Sequence, residues 1–514
     1  MTPHTPLLRK LIRAIRHAAA PHANGLSRRQ FLGKSAAALA VAMATGGAGR
    51  AAVPKEPIAI LGGGAAGLTA AFRLMQAGAK VELFEGSNRI GGRILTLDGF
   101  VPADLNDGKP MFTELGGELV DSNHKDLIEL AKELGVEIQE LKEGDPGVEY
   151  YHFEGKIRTD QELIPAFEPL AKQLAQDAEG LEDDKENYTE KARKFDRMSI
   201  HDYLQSFKGK VEAWVIRMLD TAYEIEYGRA TKEQSALNLI TYLSPETKDG
   251  FEMFGESDES KRVKGGNSRL IEALEKAIAG KVTVHTQHKL TAIATAKGKV
   301  QLTFDTGKGY KEFTFSKVIC AIPFTMLRGG RVAGIAKIGL SKEKVKAIEE
   351  LGYGNNTKAM IAFKSRFWRK AEPVNNGSTY TDQSYQATWE CSRGQDGPAG
   401  ILVNFLGGKT ALEATPDTRF DTTLKELDKV FPGAEAAYLG KRIMMHWPTQ
   451  KFILGSYTCP LVGQVTALLE HCASPELKGR LLFAGEHTSA DFSGFMCGGI
   501  ESGNRVAKEA LGEG

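Results

Sequence analysis

A glycine-rich segment that begins about sixty residues from the start of the sequence constrains the fold more than any other feature. The apolar run Ile58–Leu61 precedes the hexapeptide GGGAAG at 62–67, and residues 68–76 have the pattern of a helix. A second apolar run over 80–84 ends at Glu85. A strand, these glycines, a helix, a strand and an acidic residue in this order predict a parallel β-α-β unit that binds a dinucleotide.

The positions within this unit have separate physical tasks. Gly62 permits a tight turn, Gly64 lets the backbone approach a pyrophosphate, and Gly67 lets the helix pack closely on the strand. Ala66 lies near the helix N-terminus, whose free N–H groups and partial positive charge favour phosphate. Glu85 is expected to accept hydrogen bonds from the hydroxyl groups of a ribose.

The loop after the second strand favours FAD over NAD, which the glycines alone do not distinguish. It reads GSNRIGGR over 86–93 and resembles the R-x-G-G-R extension of the flavin-containing amine oxidases and their relatives. The resemblance implies that Arg89, Gly92 and Arg93 line the pyrophosphate of FAD. The two guanidinium groups would supply charge-assisted hydrogen bonds there.

The far end of the chain contributes to the same predicted site. The segment LLFAGEHTS at 481–489 resembles the second FAD motif of the family, with a strand that leads to Gly485 and Glu486. The resemblance implies that Glu486 binds ribityl or ribose hydroxyl groups. A helix predicted to begin near Met496 would direct its positive end towards the isoalloxazine and favour the reduced anion.

Together these motifs predict an α/β fold with a discontinuous, Rossmann-like FAD-binding domain and a second, α+β domain for substrate. The segment KGGNSRL at 264–270 matches a further motif of the family, and the resemblance extends over roughly residues 56–511. The predicted FAD-binding segments are 55–117, 262–328 and 440–514. The predicted substrate-binding segments are 118–261 and 329–439.

Three side chains narrow the predicted reaction to amine oxidation. The segment NNTKAMIAF at 355–363 resembles a strand of monoamine and polyamine oxidases in which a lysine holds a water molecule against flavin N5, and Lys358 occupies that position. A lysine on an apolar strand needs a partner, because burying an unpaired charge is costly. Tyr457 and Phe495 match the family's two aromatic walls, which contact the amine through their π faces.

The segment from Trp447 to Tyr457 resembles the part of the family that passes the re face of the flavin. Some monoamine oxidases attach FAD through a cysteine at the position that Ser456 occupies in this chain, so we predict non-covalent FAD. The resemblance implies hydride transfer from the amine α-carbon to flavin N5. The imine would then hydrolyse to a carbonyl compound and ammonia or a smaller amine, and O2 would be reduced to H2O2.

Residues 1–52 are predicted to be an export signal. Basic residues precede SRRQFL at 27–32, and a run of apolar and small residues follows at 35–48. This order is typical of a signal peptide, and the adjacent arginines resemble a bacterial twin-arginine signal. We therefore expect the twin-arginine machinery to export the protein to the periplasm or beyond the cell.

Composition argues against some other partners. Lys and Arg number 66 and Asp and Glu 65, so no large basic field suggests a nucleic acid. The 5 cysteines are scattered without C-x-x-C spacing or histidines at ligand spacing, so no metal site is expected. The sequence leaves the oligomeric state open, with a homodimer among the options.

Three alternatives share the FAD motifs. An L-amino-acid oxidase would need a cation, usually Arg, for the substrate carboxylate, whereas ELGGELV at 114–120 places Glu118 close to where venom-type enzymes often carry an arginine. A desaturase or porphyrinogen-type oxidase would not need Lys358 together with the two aromatic walls. A non-enzymatic exported flavoprotein would be yellow but would not be bleached by any amine under anaerobic conditions.

Overall fold

The structure is a computed structural model that describes residues 54–141, 147–183, 187–241 and 259–513 of the 514-residue chain. The predicted export signal at 1–52 lies outside the described residues, so export stays a prediction. Among the described helices, none is both long enough and apolar enough to cross a membrane.

The described part of the chain contains strands and helices throughout its length. Its strands are β1 (Ile58–Leu61), β2 (Val81–Phe84), β3 (Thr96–Val101), β4 (Met111–Glu114), β5 (Ile138–Glu140), β6 (Val148–Phe153), β7 (Lys156–Arg158), β8 (Lys261–Val263), β9 (Thr283–His285), β10 (Lys289–Ala296), β11 (Lys299–Asp305), β12 (Tyr310–Phe315), β13 (Lys317–Cys320), β14 (Thr357–Phe363), β15 (Asn375–Thr381), β16 (Ala387–Glu390), β17 (Gly400–Leu406), β18 (Tyr438–His446) and β19 (Leu481–Phe483). Its α-helices are α1 (Ala65–Gln76), α2 (Lys125–Glu133), α3 (Asp160–Ala178), α4 (Glu190–Asp196), α5 (Ile200–Gln205), α6 (Ala213–Tyr227), α7 (Leu237–Ile240), α8 (Ser268–Ile278), α9 (Phe324–Leu327), α10 (Lys342–Glu350), α11 (Gly408–Glu413), α12 (Pro416–Val430), α13 (Ala434–Ala437), α14 (Val465–Cys472) and α15 (Met496–Leu511). Short 3-10 helices cover Ala103–Leu105, Ile335–Lys337, Phe367–Lys370, Trp447–Thr449 and Glu486–Thr488.

Five strands form a parallel sheet in the order β19-β13-β1-β2-β9. The central strand β1 is apolar and fully buried, as expected of a parallel strand covered on both faces. Helices α1, α8 and α15 cover one face, while the antiparallel strands β10–β12 with α9 and α10 cover the other. This arrangement confirms the predicted Rossmann-like α/β fold, assembled from both ends of the chain.

Helices α1 and α15 pack closely together against this sheet. Small residues permit the approach, because a Cβ added at Gly503 would lie only 2.6 Å from the carbonyl oxygen of Ala66. Helix α1 begins at Ala65, one turn earlier than the sequence pattern predicts, because Gly64 already serves as its extended N-cap residue. The predicted start of the last helix at Met496 is confirmed.

A second, mixed sheet has the strand order β18-β14-β17-β16-β15-β6-β7. Its pairs are antiparallel except for β15 with β6. Every residue of β14 is buried, between the sheet neighbours β17 and β18 and the cores on its two faces. Strand β14 therefore carries Lys358 into the interior of the molecule.

The predicted domain boundaries stay a prediction, although the two sheets divide the chain in a similar way. The five parallel strands lie within the predicted FAD-binding segments, and most strands of the second sheet lie within the predicted substrate-binding segments. Strand β18 differs. Its residues from 440 onward fall in a predicted FAD-binding segment, yet β18 pairs with β14 in the second sheet.

Candidate active site

A cavity of about 520 Å³ opens at the carboxyl ends of the parallel strands, where ligands of such sheets bind. Both ends of the described chain and the second sheet contribute to its wall. The predicted site residues that line it are Gly62, Gly64, Ala66, Glu85, Arg89, Gly92, Arg93, Lys358, Trp447, Tyr457, Gly485, Glu486, Phe495 and Met496. Gly67 lies behind this wall instead, in the contact between α1 and β1. The roles assigned to these residues stay predictions.

The glycine loop has the geometry that a dinucleotide requires. Gly62 adopts a φ of 101° and donates its N–H to the Phe84 carbonyl at 2.7 Å. A Cβ added at Gly67 would lie 1.9 Å from the Gly62 carbonyl oxygen, so only glycine allows this contact between helix and loop. A Cβ at Gly64 would meet only Gly92 Cα, at 3.9 Å, so Gly64 leaves space on the cavity side.

The carboxylate of Glu85 is fixed at the end of β2 by two backbone N–H groups. Its Oε2 accepts from Gly63 at 2.8 Å and its Oε1 from Ser87 at 2.7 Å. An ionised carboxylate has about four acceptor positions, so further positions are available for hydroxyl groups of a ribose. The position of Glu85 therefore fits the role that the sequence predicts for it.

An ion pair joins the two ends of the chain across the cavity. Arg93 donates from Nη1 to Glu486 Oε1 at 2.9 Å and to the Ser456 carbonyl at 2.8 Å. Glu486 Oε2 accepts from the Gly494 N–H at 2.8 Å. Burial by itself would raise the pKa of Glu486, but the Arg93 guanidinium lowers it, and the net pKa lies below its usual value. Glu486 is therefore ionised at neutral pH despite its burial.

Helix α15 begins at the cavity wall, with Met496 as its first residue. No side chain caps this N-terminus at Phe495, so its first N–H groups can interact with a ligand. A Cβ added at Gly117 would lie 2.7 Å from Met496 Cγ, which shows how tightly the ELGG loop packs on this helix start. These observations, with the glycine loop and Glu85, fit a bound FAD.

Lys358 has partners that sequence reasoning did not identify. The residue is 3% exposed, and its Nζ donates to Glu118 Oε2 at 2.9 Å and to the Gly116 carbonyl at 3.0 Å. Trp389 Nε1 donates to the same Glu118 oxygen at 3.1 Å. The only signal in the sequence was the cost of burying an unpaired lysine, which required a partner without naming it.

The two predicted aromatic walls both line the cavity. The Tyr457 hydroxyl donates to the Glu226 carbonyl at 2.5 Å, which anchors the hydroxyl end of the ring. Phe495 packs edge to face on His124, with ring centroids 5.1 Å apart. Trp389 and Phe405, whose ring centroids are 5.1 Å apart, add aromatic surface that the sequence did not single out.

Ser456 occupies the position at which some monoamine oxidases attach FAD through a cysteine, and its side chain makes a hydrogen bond within the protein. Ser456 Oγ donates to Asn356 Oδ1 at 2.5 Å. All 5 cysteines are buried free thiols, and none of them is among the described residues that line the cavity. Within the described residues, no group of His, Cys, Asp and Glu side chains is arranged to hold a metal ion.

Glu114 provides a pH-dependent contribution to stability. It is fully buried beside Glu118, and burial raises its pKa from 4.5 to about 7. Because the folded state binds this proton more tightly, the stabilisation is complete below about pH 4.5 and is lost as the pH rises to about 7, a change of about 3 kcal/mol. We expect Glu114→Gln to abolish this part of the pH dependence. The free energy of unfolding in urea, measured at pH 5 and at pH 8, tests this expectation. If the wild type and the variant differ by the same amount at both pH values, the prediction is wrong.

Comparisons with known proteins agree with this geometry. The family model described as flavin-containing amine oxidoreductase matches residues 65–511. The chain is 26% identical to the flavin-dependent L-tryptophan oxidase of Lentzea aerocolonigenes over 87% of its own length and 96% of that protein. It is also 26% identical to polyamine oxidase 5 of Oryza sativa subsp. japonica, over 90% and 88% of the two chains. The solved structure of cyclohexylamine oxidase from Brevibacterium oxydans IH-35A matches with a TM-score of 0.74 at 22% identity, covering 90% of this chain and 99% of that one.

Proposed function

The chain belongs to the flavin-containing amine oxidoreductases and uses FAD as its cofactor, and from this premise we propose that it oxidises a cationic amine without an α-carboxylate, with O2 as the electron acceptor. FAD supplies the redox chemistry when bound, by accepting a hydride from the α-carbon of the amine. The resulting imine hydrolyses to a carbonyl compound and ammonia or an amine, and O2 is reduced to H2O2.

The residues of this chain would bind and orient the substrate. The rings of Tyr457 and Phe495 would confine the amine and direct its α C–H towards the flavin, and Trp389 would close the same space. Lys358 would stabilise the negative charge that develops on oxygen. Apolar and aromatic side chains around these groups would exclude water and so strengthen each electrostatic contact.

The charge distribution along the cavity carries the proposal for the substrate class. Arginine occurs among the described lining residues only at Arg89 and Arg93, both in the nucleotide loop. The lysine at the other end, Lys358, is already paired with Glu118. The carboxylate of Glu259 also belongs to the described lining. Because Lys358 and Glu118 neutralise each other, the described lining at this end has no arginine to hold a carboxylate, and the Glu259 carboxylate favours a cation.

Matched substrate pairs test this proposal. The purified yellow protein is mixed anaerobically with tryptamine or L-tryptophan, and with cadaverine or L-lysine, so that each pair differs only by the α-carboxylate. We expect bleaching by at least one amine that lacks the carboxylate, followed by recovery of the yellow colour and formation of H2O2 when air is admitted. Bleaching by the amino acids alone would overturn the assignment of substrate class.

An L-amino-acid oxidase is the second candidate, and the similarity to an L-tryptophan oxidase favours it. The identity to a polyamine oxidase is the same, 26%, so sequence identity does not separate the two. If the amino acids bleach the flavin, a cation must hold their carboxylate. Among the described lining residues near Glu118, Lys358 is the available cation, so Lys358→Met would then abolish amino-acid binding.

A further inference from the structure

Glu118 lies next to Lys358 in a contact between distant parts of the chain. The two residues are 240 positions apart, and each side chain is 4% exposed. One carboxylate oxygen accepts both the Lys358 ammonium and the Trp389 indole N–H, while the other oxygen makes no hydrogen bond with any described residue. Among the described residues, the hydrogen bonds of the Glu118 side chain therefore go to Lys358 and Trp389.

This contact fixes the position of the Lys358 ammonium and makes the Lys358–Glu118 pair neutral as a whole. Glu118 and the Gly116 carbonyl accept two of the three N–H donors of the ammonium, which leaves one donor for a ligand in the cavity. A lone ammonium in a dry cavity would produce a strong positive potential. The carboxylate at 2.9 Å cancels most of that potential and leaves a directed N–H donor.

We propose that Glu118 is a positioning residue for Lys358, which holds the ammonium at the cavity wall and cancels its charge, so that the pair sets how strongly the protein stabilises reduced FAD. The inference rests on the proposed function, in which Lys358 faces the flavin. A reduced flavin carries negative charge, so an unbalanced cation nearby would favour it and an unbalanced carboxylate would disfavour it.

Other titratable groups surround this pair and determine the conditions of the test. The buried Glu114 interacts with both members, and burial raises its pKa to about 7, so it is mostly neutral at pH 6. Burial raises the pKa of the Cys391 thiol well above its usual value, so Cys391 carries no charge at that pH. Arg262 lies near Cys391, and Glu259 lines the cavity. Neither residue is substituted in any of the variants below.

The test is the midpoint potential of bound FAD at pH 6 in wild type, Glu118→Gln, Lys358→Met and the double variant. Glu118→Gln is expected to favour the reduced form at least tenfold, about 30 mV for two electrons. Lys358→Met is expected to disfavour it by a similar factor. The double variant restores neutrality and should return to the wild-type potential. If Glu118→Gln does not fold, the double variant compared with Lys358→Met measures the same effect of the carboxylate.

Glu390→Gln is the matched control. Glu390 is also a buried carboxylate. It accepts from the Trp368 N–H and forms ion pairs with Arg366 and Arg369, but it is not among the residues that line the cavity. It should alter stability without moving the potential. If all variants have the same midpoint potential and amines still bleach the wild type, the role of Glu118 is overturned and the proposed function is not. A wild type that no amine or amino acid bleaches would instead overturn the proposed function.

Discussion

Replacing Lys358 with Met should slow the reaction of the reduced enzyme with O2 by about 100-fold, a typical cost of removing one preorganised charge from a dry site. The ammonium is buried, lines the cavity and is held by two acceptors, so it needs no reorganisation when negative charge develops on oxygen. Met preserves the length of the side chain and removes the charge. Stopped-flow mixing of the anaerobically reduced enzyme with oxygenated buffer measures the rate.

Lys344→Met provides the control for this variant. Lys344 is also fully buried, with its Nζ donating to the Cys472 carbonyl at 2.6 Å, but it lies outside the lining of the cavity. It should leave the oxygen reaction unchanged. If Lys358→Met and Lys344→Met react with O2 as fast as the wild type, Lys358 has no role in that step.

The double variant of Lys358 and Glu118 separates the charge of the pair from its N–H donor. Lys358→Met alone leaves Glu118 as a buried carboxylate without its cation, which typically costs about 3–5 kcal/mol of stability. The double variant removes that cost and should recover the potential of the flavin. Its reaction with O2 should stay slow, because no ammonium is present to stabilise charge on oxygen.

The nucleotide part of the site could be predicted from the sequence because its requirements are local. A glycine is needed where the backbone turns at Gly62 and where a Cβ would strike a carbonyl at Gly67. Glu85 directly follows the strand that positions it. Such constraints act within one β-α-β unit, so residue type and spacing reveal them.

The partners of Lys358 could not be predicted in this way. Glu118 and Lys358 meet only because the ELGG loop packs on α15 while β14 enters the second sheet, and neither event has a local signature. The same holds for Trp389, which is half-buried on β16 and becomes part of the cavity through pairing with β17. Pairing also explains β18, whose place in the second sheet depends on its register with β14.

Replacing Gly67 with Ala should prevent the formation of the nucleotide site. The added Cβ would lie 1.9 Å from the Gly62 carbonyl oxygen, a backbone atom that cannot move without displacing the glycine loop. Overpacking of this kind typically costs about 1–3 kcal/mol and occasionally more. We expect a colourless protein, or one with a clearly lower melting temperature both with and without added FAD. Absorbance near 450 nm and thermal unfolding measure the two effects.

Gly64→Ala is the matched variant that separates packing from binding. Its Cβ would meet only Gly92 Cα at 3.9 Å, so the protein without FAD should melt at the wild-type temperature. The methyl group would instead occupy space on the cavity side, where the pyrophosphate is predicted to approach the backbone. FAD affinity should therefore fall while the fold is retained. Normal FAD binding by Gly64→Ala would contradict the predicted approach, and a wild-type melting temperature for Gly67→Ala would contradict the packing argument.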